Sequence, residues 1–149
     1  MEKSDVLKLE KFTKELSTLH WALVGGLFSI IVVILVFAFQ EYVFKFPQSG
    51  DIYIYLCITL AIGGIYLGNY TYGKRIPEAK KMTTLDEKLA GFRAAYVSRS
   101  ALIEGPALIS VVLGMDSENL VFIFISIALL GYLFLQKVTK ERIVEELGL

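Results

Sequence analysis

The chain has 149 residues, 55% of them hydrophobic and 20% charged, with a mean hydropathy of +0.59. Its 15 basic residues balance 15 acidic ones and the pI is about 6.6, which excludes the electrostatic footprint of a nucleic-acid binder. A soluble domain of this length rarely collects its apolar residues into long uncharged blocks, so the composition points to a membrane protein.

The first eighteen residues, MEKSDVLKLEKFTKELST, set Val6, Leu7, Leu9, Phe12 and Leu16 among four basic and four acidic side chains. That pattern predicts a short amphipathic segment, residues 1–18, near the membrane or against a partner. The uncharged block WALVGGLFSIIVVILVFAF follows, within a first span expected at about 19–40. It is longer than a signal-peptide core and no A-x-A-like site follows it, so it reads as a retained anchor. His20 at its start is expected at the interface rather than as a ligand. Gly25 and Ser29, four residues apart, are a candidate helix-packing pair.

The second uncharged block, IYIYLCITLAIGGIYLGNYTY, predicts a span over 52–72. It contains the single cysteine, Cys57, which can form no intrachain disulfide. Gly64 and Gly68 form a G-x-x-x-G pair, readable as an oligomer contact or as packing within the chain. Tyr53 and Tyr55 at one end, with Tyr70 and Tyr72 at the other, resemble aromatic belts.

The connection GKRIPEAKKMTTLDEKLAGFRAA carries the sharpest local signal. Thr84 to Glu87, TLDE, fits a capping box, and Asp86 and Glu87 suit the positive end of a new helix. A helix from there to Met115 would be roughly 45 Å long, longer than a bilayer core, so its first turns should project as a cytoplasmic stalk. Leu85, Leu89, Phe92 and Tyr96 form a stripe along it that requires a cover, either the amino-terminal segment or another subunit.

The third span, 96–115, holds Arg99, Glu104 and Pro106. Arg99 can extend to the headgroups, whereas the shorter Glu104, near the midplane, has to be neutral, paired or hydrated. Ser100, four residues earlier, shares the face of Glu104; Arg99, five residues earlier, lies about 140° round the helix. Pro106 removes the donor to the Leu102 carbonyl and, with Gly105, marks a candidate bend. Across the bundle Thr59 matches Glu104 in depth, while Asn69 fits Arg99 better. Glu104, Ser100, Arg99 and Thr59 are therefore the candidate proton or cation site. The alternative is a protonated Glu104 that only hydrogen-bonds to a neighbouring helix.

A short DSEN turn leads to the fourth span, about 119–136, with Asn119 and Gln136 expected at headgroup level. The tail KVTKERIVEELGL, 137–149, reads as a charged helical extension. With Arg99 set aside, thirteen Lys and Arg fall on the side of the termini and the long connection, against only Lys45 on the other. The positive-inside rule then makes both termini cytoplasmic.

The stretch RSALIEGPALISVVLG, with the short turn, last apolar span and tail that follow, resembles a family of small four-span inner-membrane proteins common in Bacteroidota. The resemblance covers mainly residues 84–149 and implies a topology and an inner-membrane location, but no activity. The mid-span carboxylate is also similar to that of rotary ATPase proteolipids, from which these bulky, aromatic helices depart.

No P-loop, dinucleotide fingerprint, nucleophile elbow or zinc motif is present in the sequence. The expected molecule is one all-α, four-helix membrane domain of two helical hairpins. Its expected role is non-enzymatic, as a subunit or accessory of a larger assembly, without cofactor or metal. Its expected partners are the lipid bilayer and either further copies of itself or another membrane protein. The alternative function is a small proton- or cation-conducting oligomer using Glu104.

Overall fold

A computed structural model describes residues 3–38 and 52–149, and these form five α-helices. They are α1 (Lys3–Ala38), α2 (Ile52–Lys80), α3 (Leu85–Ser117), α4 (Leu120–Leu135) and α5 (Lys140–Leu147). The loop that carries Lys45 lies outside the described residues. Helices α1, α2 and α3 are each long and apolar enough to cross a membrane; α4 passes that test only together with α5, from which it is bent by 75°.

The amino-terminal segment is not a separate element. It continues into the first span as one helix of 36 residues, roughly 54 Å long at 1.5 Å per residue. Helix α2 likewise runs past Tyr72 and through Pro77 to Lys80, so much of the expected connection is helical. Residues 81–84 then turn the chain into α3. The capping box is formed in both directions: the Glu87 N–H donates to Thr84 Oγ1 at 3.3 Å and the Thr84 N–H donates to Glu87 Oε2 at 3.1 Å.

The stripe on α3 is covered within the chain. Leu89, Phe92, Ala95 and Tyr96 pack with Leu9, Phe12 and Leu16 of α1, Tyr72, Ile76 and Ala79 of α2, and Ile143 and Leu147 of α5. Each large apolar side chain so buried contributes about 1.5–3 kcal/mol. Ion pairs Lys8–Asp86, Glu15–Arg93 and Glu10–Lys140, at 2.7–2.8 Å, tie α1 to α3 and α5 at the same end. Exposed as they are, such pairs set alignment more than stability. The three charged regions of the sequence thus meet at one end of the bundle.

A second core joins Val24, Leu27, Ile31 and Ile34 of α1 to Ile103, Ala107 and Val111 of α3 and Ile123, Leu129 and Leu133 of α4. Outside it the helices are apolar rather than polar: Val36, Ile62, Tyr66, Val112 and Phe124 are all exposed. Helices that are apolar on their outward faces as well as inward ones are compatible with an apolar surrounding such as a bilayer.

The tail departs from the expected extension. Helix α4 ends at Leu135, and Thr139 caps a separate α5 by accepting from the Arg142 N–H at 3.3 Å. The cause is amphipathic: Ile143 and Leu147 are one turn apart and both wholly buried, so α5 folds back onto the charged-end core. Asn119 and Gln136 are both buried. Asn119 is the N-cap of α4, accepting from the Val121 N–H at 3.1 Å.

Candidate functional site

Helix α3 continues through Gly105 and Pro106, and what meets the weakened position is α2. A Cβ added to Gly64 would lie 2.3 Å from the Leu102 carbonyl oxygen, the acceptor that Pro106 leaves without its helical donor, and 3.0 Å from the proline ring. One turn on, a Cβ at Gly68 would lie 3.2 Å from the Arg99 carbonyl oxygen. The glycine pair is therefore the seam along which α2 and α3 touch backbone to backbone, close enough for Cα–H···O contact. Gly25 has nothing within 4 Å of an added Cβ, and Ser29 is exposed and donates to the Gly25 carbonyl at 2.7 Å. Among the described residues, then, no neighbouring helix closes on Gly25 as α3 does on Gly64. Gly105 also has open space around it.

Glu104 is half-buried, eleven residues after Arg93 and hence within about 20° of it on α3. Arg93 pairs with Glu15, so this is the flank of α3 beside α1, away from the Gly64 seam. The expected partners are not assembled around it. Thr59 is exposed and donates to the Tyr55 carbonyl at 2.8 Å. Arg99 turns towards α2, its guanidinium carbon 4.8 Å from the centre of the Tyr72 ring. Ser100 is buried beside Tyr96, and among the described residues its hydroxyl has no hydrogen-bond partner.

Arg99 and Ser100 belong instead to a polar layer where all five helices meet. Helix α1 contributes His20, whose Nδ1 shares a hydrogen bond with the Tyr96 hydroxyl of α3. His20 is 2% exposed, enclosed among the helices. Helix α2 contributes Asn69, which donates to the Tyr132 hydroxyl of α4 at 2.7 Å, and Tyr72, which donates to Glu146 of α5. Tyr72 is thereby removed from the expected aromatic belt; Tyr70, Tyr53 and Tyr55 remain exposed.

The Tyr72 ring has cations near it from two elements, Arg99 at 4.8 Å and Arg142 at 5.6 Å. Arg142 also donates to Glu146 at 2.7 Å. Burial pulls Arg142 down, but the Glu146 and Tyr72 oxygens outweigh it and hold the guanidinium above its ordinary pKa. Tyr132 lies close to Arg99 and to Gln136, the C-cap of α4 four residues on.

Sequence reasoning grouped Arg99 and Ser100 with Glu104 and missed His20, Tyr72, Tyr132, Gln136, Arg142 and Glu146 as their neighbours. The spacing of Tyr132 to Gln136 and of Arg142 to Glu146, four residues each, was a readable hint of shared faces. No family model matches the chain, and neither a curated protein nor a solved structure is similar to it.

Proposed function

We propose that the chain is a four-span inner-membrane protein with both termini cytoplasmic, acting as a non-enzymatic subunit or accessory of a larger membrane assembly. The observation that supports this reading is an open cleft of about 560 Å3 between α1 and α3 at the charged end. Phe12, Leu89, Ala94 and Val97 give it an apolar floor, and the Lys8–Asp86 and Arg93–Glu15 pairs supply charges of both signs at its edges. An amphipathic helical segment of a partner, carrying its own mixed charges, has the chemistry to lie there.

The test is photo-crosslinking from position 94 in intact cells, followed by purification in mild detergent. The reading expects a discrete crosslinked species that disappears in Ala90→Trp, which fills the cleft. A lone monomer with no crosslink in either protein would overturn it.

A second reading keeps Glu104 as a proton- or cation-handling group in an oligomer. What favours it is that, among the described residues, no hydrogen bond or ion pair reaches this mid-span carboxyl. Flux in proteoliposomes that is unchanged by Glu104→Gln would remove it.

A further inference from the structure

The polar layer holds one more positive charge than it neutralises. Arg142 has Glu146, whereas Arg99 has no carboxylate within ion-pair distance among the described residues. A guanidinium cannot shed its proton to relieve the cost. Arg99 is partly buried with its Nε enclosed, and the Tyr72 ring at 4.8 Å offsets part of that cost through a cation–π contact.

The same layer holds the buried polar atoms that lack partners. They are Arg99 Nε, Gln136 Nε2 and Oε1, Ser100 Oγ and His20 Nε2, and Gln136, Ser100 and His20 are at most 5% exposed. Arg99 and Gln136 both adjoin the Tyr132 hydroxyl, and Ser100 and His20 both adjoin that of Tyr96. Water can fill hydrogen-bonding places but leaves the charge of Arg99 uncompensated. An oxyanion answers both needs, and a phosphate offers several acceptor oxygens to the planar donor fork of an arginine.

We propose that this layer is a binding site for a phosphate group, with Arg99 as its charge partner and Gln136 as a second donor. A phospholipid headgroup and free phosphate share this chemistry. The surroundings favour the lipid, because an apolar groove of about 470 Å3 between α1 and α4 starts beside the layer. It is lined by Trp21, Gly25, Phe28, Leu130, Gly131 and Phe134, and Trp21 is in ring contact with His20 at 5.4 Å. An acyl chain can lie along the groove, whose Trp21 end adjoins the layer at His20. The lipid source rests on the membrane placement proposed above; the phosphate chemistry does not.

Native mass spectrometry of the full chain, extracted in mild detergent, should show a retained phospholipid. Arg99→Gln should lower that retention about tenfold or more, the loss expected for one charge-assisted hydrogen bond. Gly131→Leu, which fills the groove where an added Cβ meets nothing, should weaken phospholipid retention and leave stabilisation by inorganic phosphate intact. In parallel, the thermal midpoint of the wild type is followed with phosphatidylglycerol in nanodiscs and with inorganic phosphate in detergent, each against a chloride control of equal ionic strength. A rise with inorganic phosphate, with no retained phospholipid and no effect of Gly131→Leu, assigns the site to free phosphate. No retained phospholipid, and no rise with either ligand, overturns the proposal and leaves water as the occupant. Should Arg99→Gln fail to fold, these wild-type titrations still decide.

Discussion

At the scale of single residues, position in the bundle decides what a glycine is worth. Gly64→Ala would drive a methyl group to within 2.3 Å of the Leu102 carbonyl oxygen, backbone that cannot step aside, and should cost about 1–3 kcal/mol. Gly25→Ala meets nothing within 4 Å and should be neutral or slightly stabilising through helix propensity. Thermal unfolding of the two variants in detergent checks the contrast. Both small-residue pairs were visible in the sequence, but not which one faced inward, because four-residue spacing is blind to a helix's partner.

The capping box was fully legible, since both of its bonds are local. Thr84→Ala should cost about 1 kcal/mol, seen as faster amide exchange in the first turn of α3. The backbone N–H of Thr84, then its side chain, hold the Glu87 carboxyl below its ordinary value. A depressed folded pKa means the contribution is present above the usual carboxylate range and lost as pH falls through the folded value. The protection factor in that turn, taken against the intrinsic exchange rate at each pH, should therefore fall on acidification in the wild type and stay level in Glu87→Gln.

At the scale of elements, the least legible was α5. Its charges favour solvent, and only the wholly buried Ile143 and Leu147 reveal that it docks. Ile143→Ala should cost about 2–5 kcal/mol at a well-packed site and release α5 to limited proteolysis, leaving α2 and α3 protected. Leu149→Ala, on a partly buried residue at the edge of that core, should have a much smaller effect. Pro77 lies inside α2, which carries on to Lys80 because Ile76 and Ala79 are buried against the shared core. Tertiary burial outweighs the local cost of the proline.

At the scale of the whole molecule, the charged regions gather at one end through contacts among α1, α3 and α5. If that end is cytoplasmic, single cysteines placed at Lys14 and Glu145 in a Cys57→Ser background should be labelled only after the inner membrane is opened. One placed at Asp116 should be labelled without that step. Labelling of all three from the same side would contradict the proposed topology.

By itself, the sequence determined that the chain is helical with blocks long and apolar enough to cross a membrane, where α3 begins, and that its charges are unevenly divided. These follow from residue type, hydrophobic block length and bonds between near neighbours. Only the tertiary structure decided that Gly64 covers the Leu102 carbonyl and that α1 and α5 cover the stripe on α3. It also decided that Arg99 belongs with Tyr72, Tyr132 and Gln136 rather than with Glu104. The two residues are five apart on one helix, and the angle between them sends each towards a different neighbour. Which neighbour stands there depends on how the other helices pack, and that is not a local property of the chain.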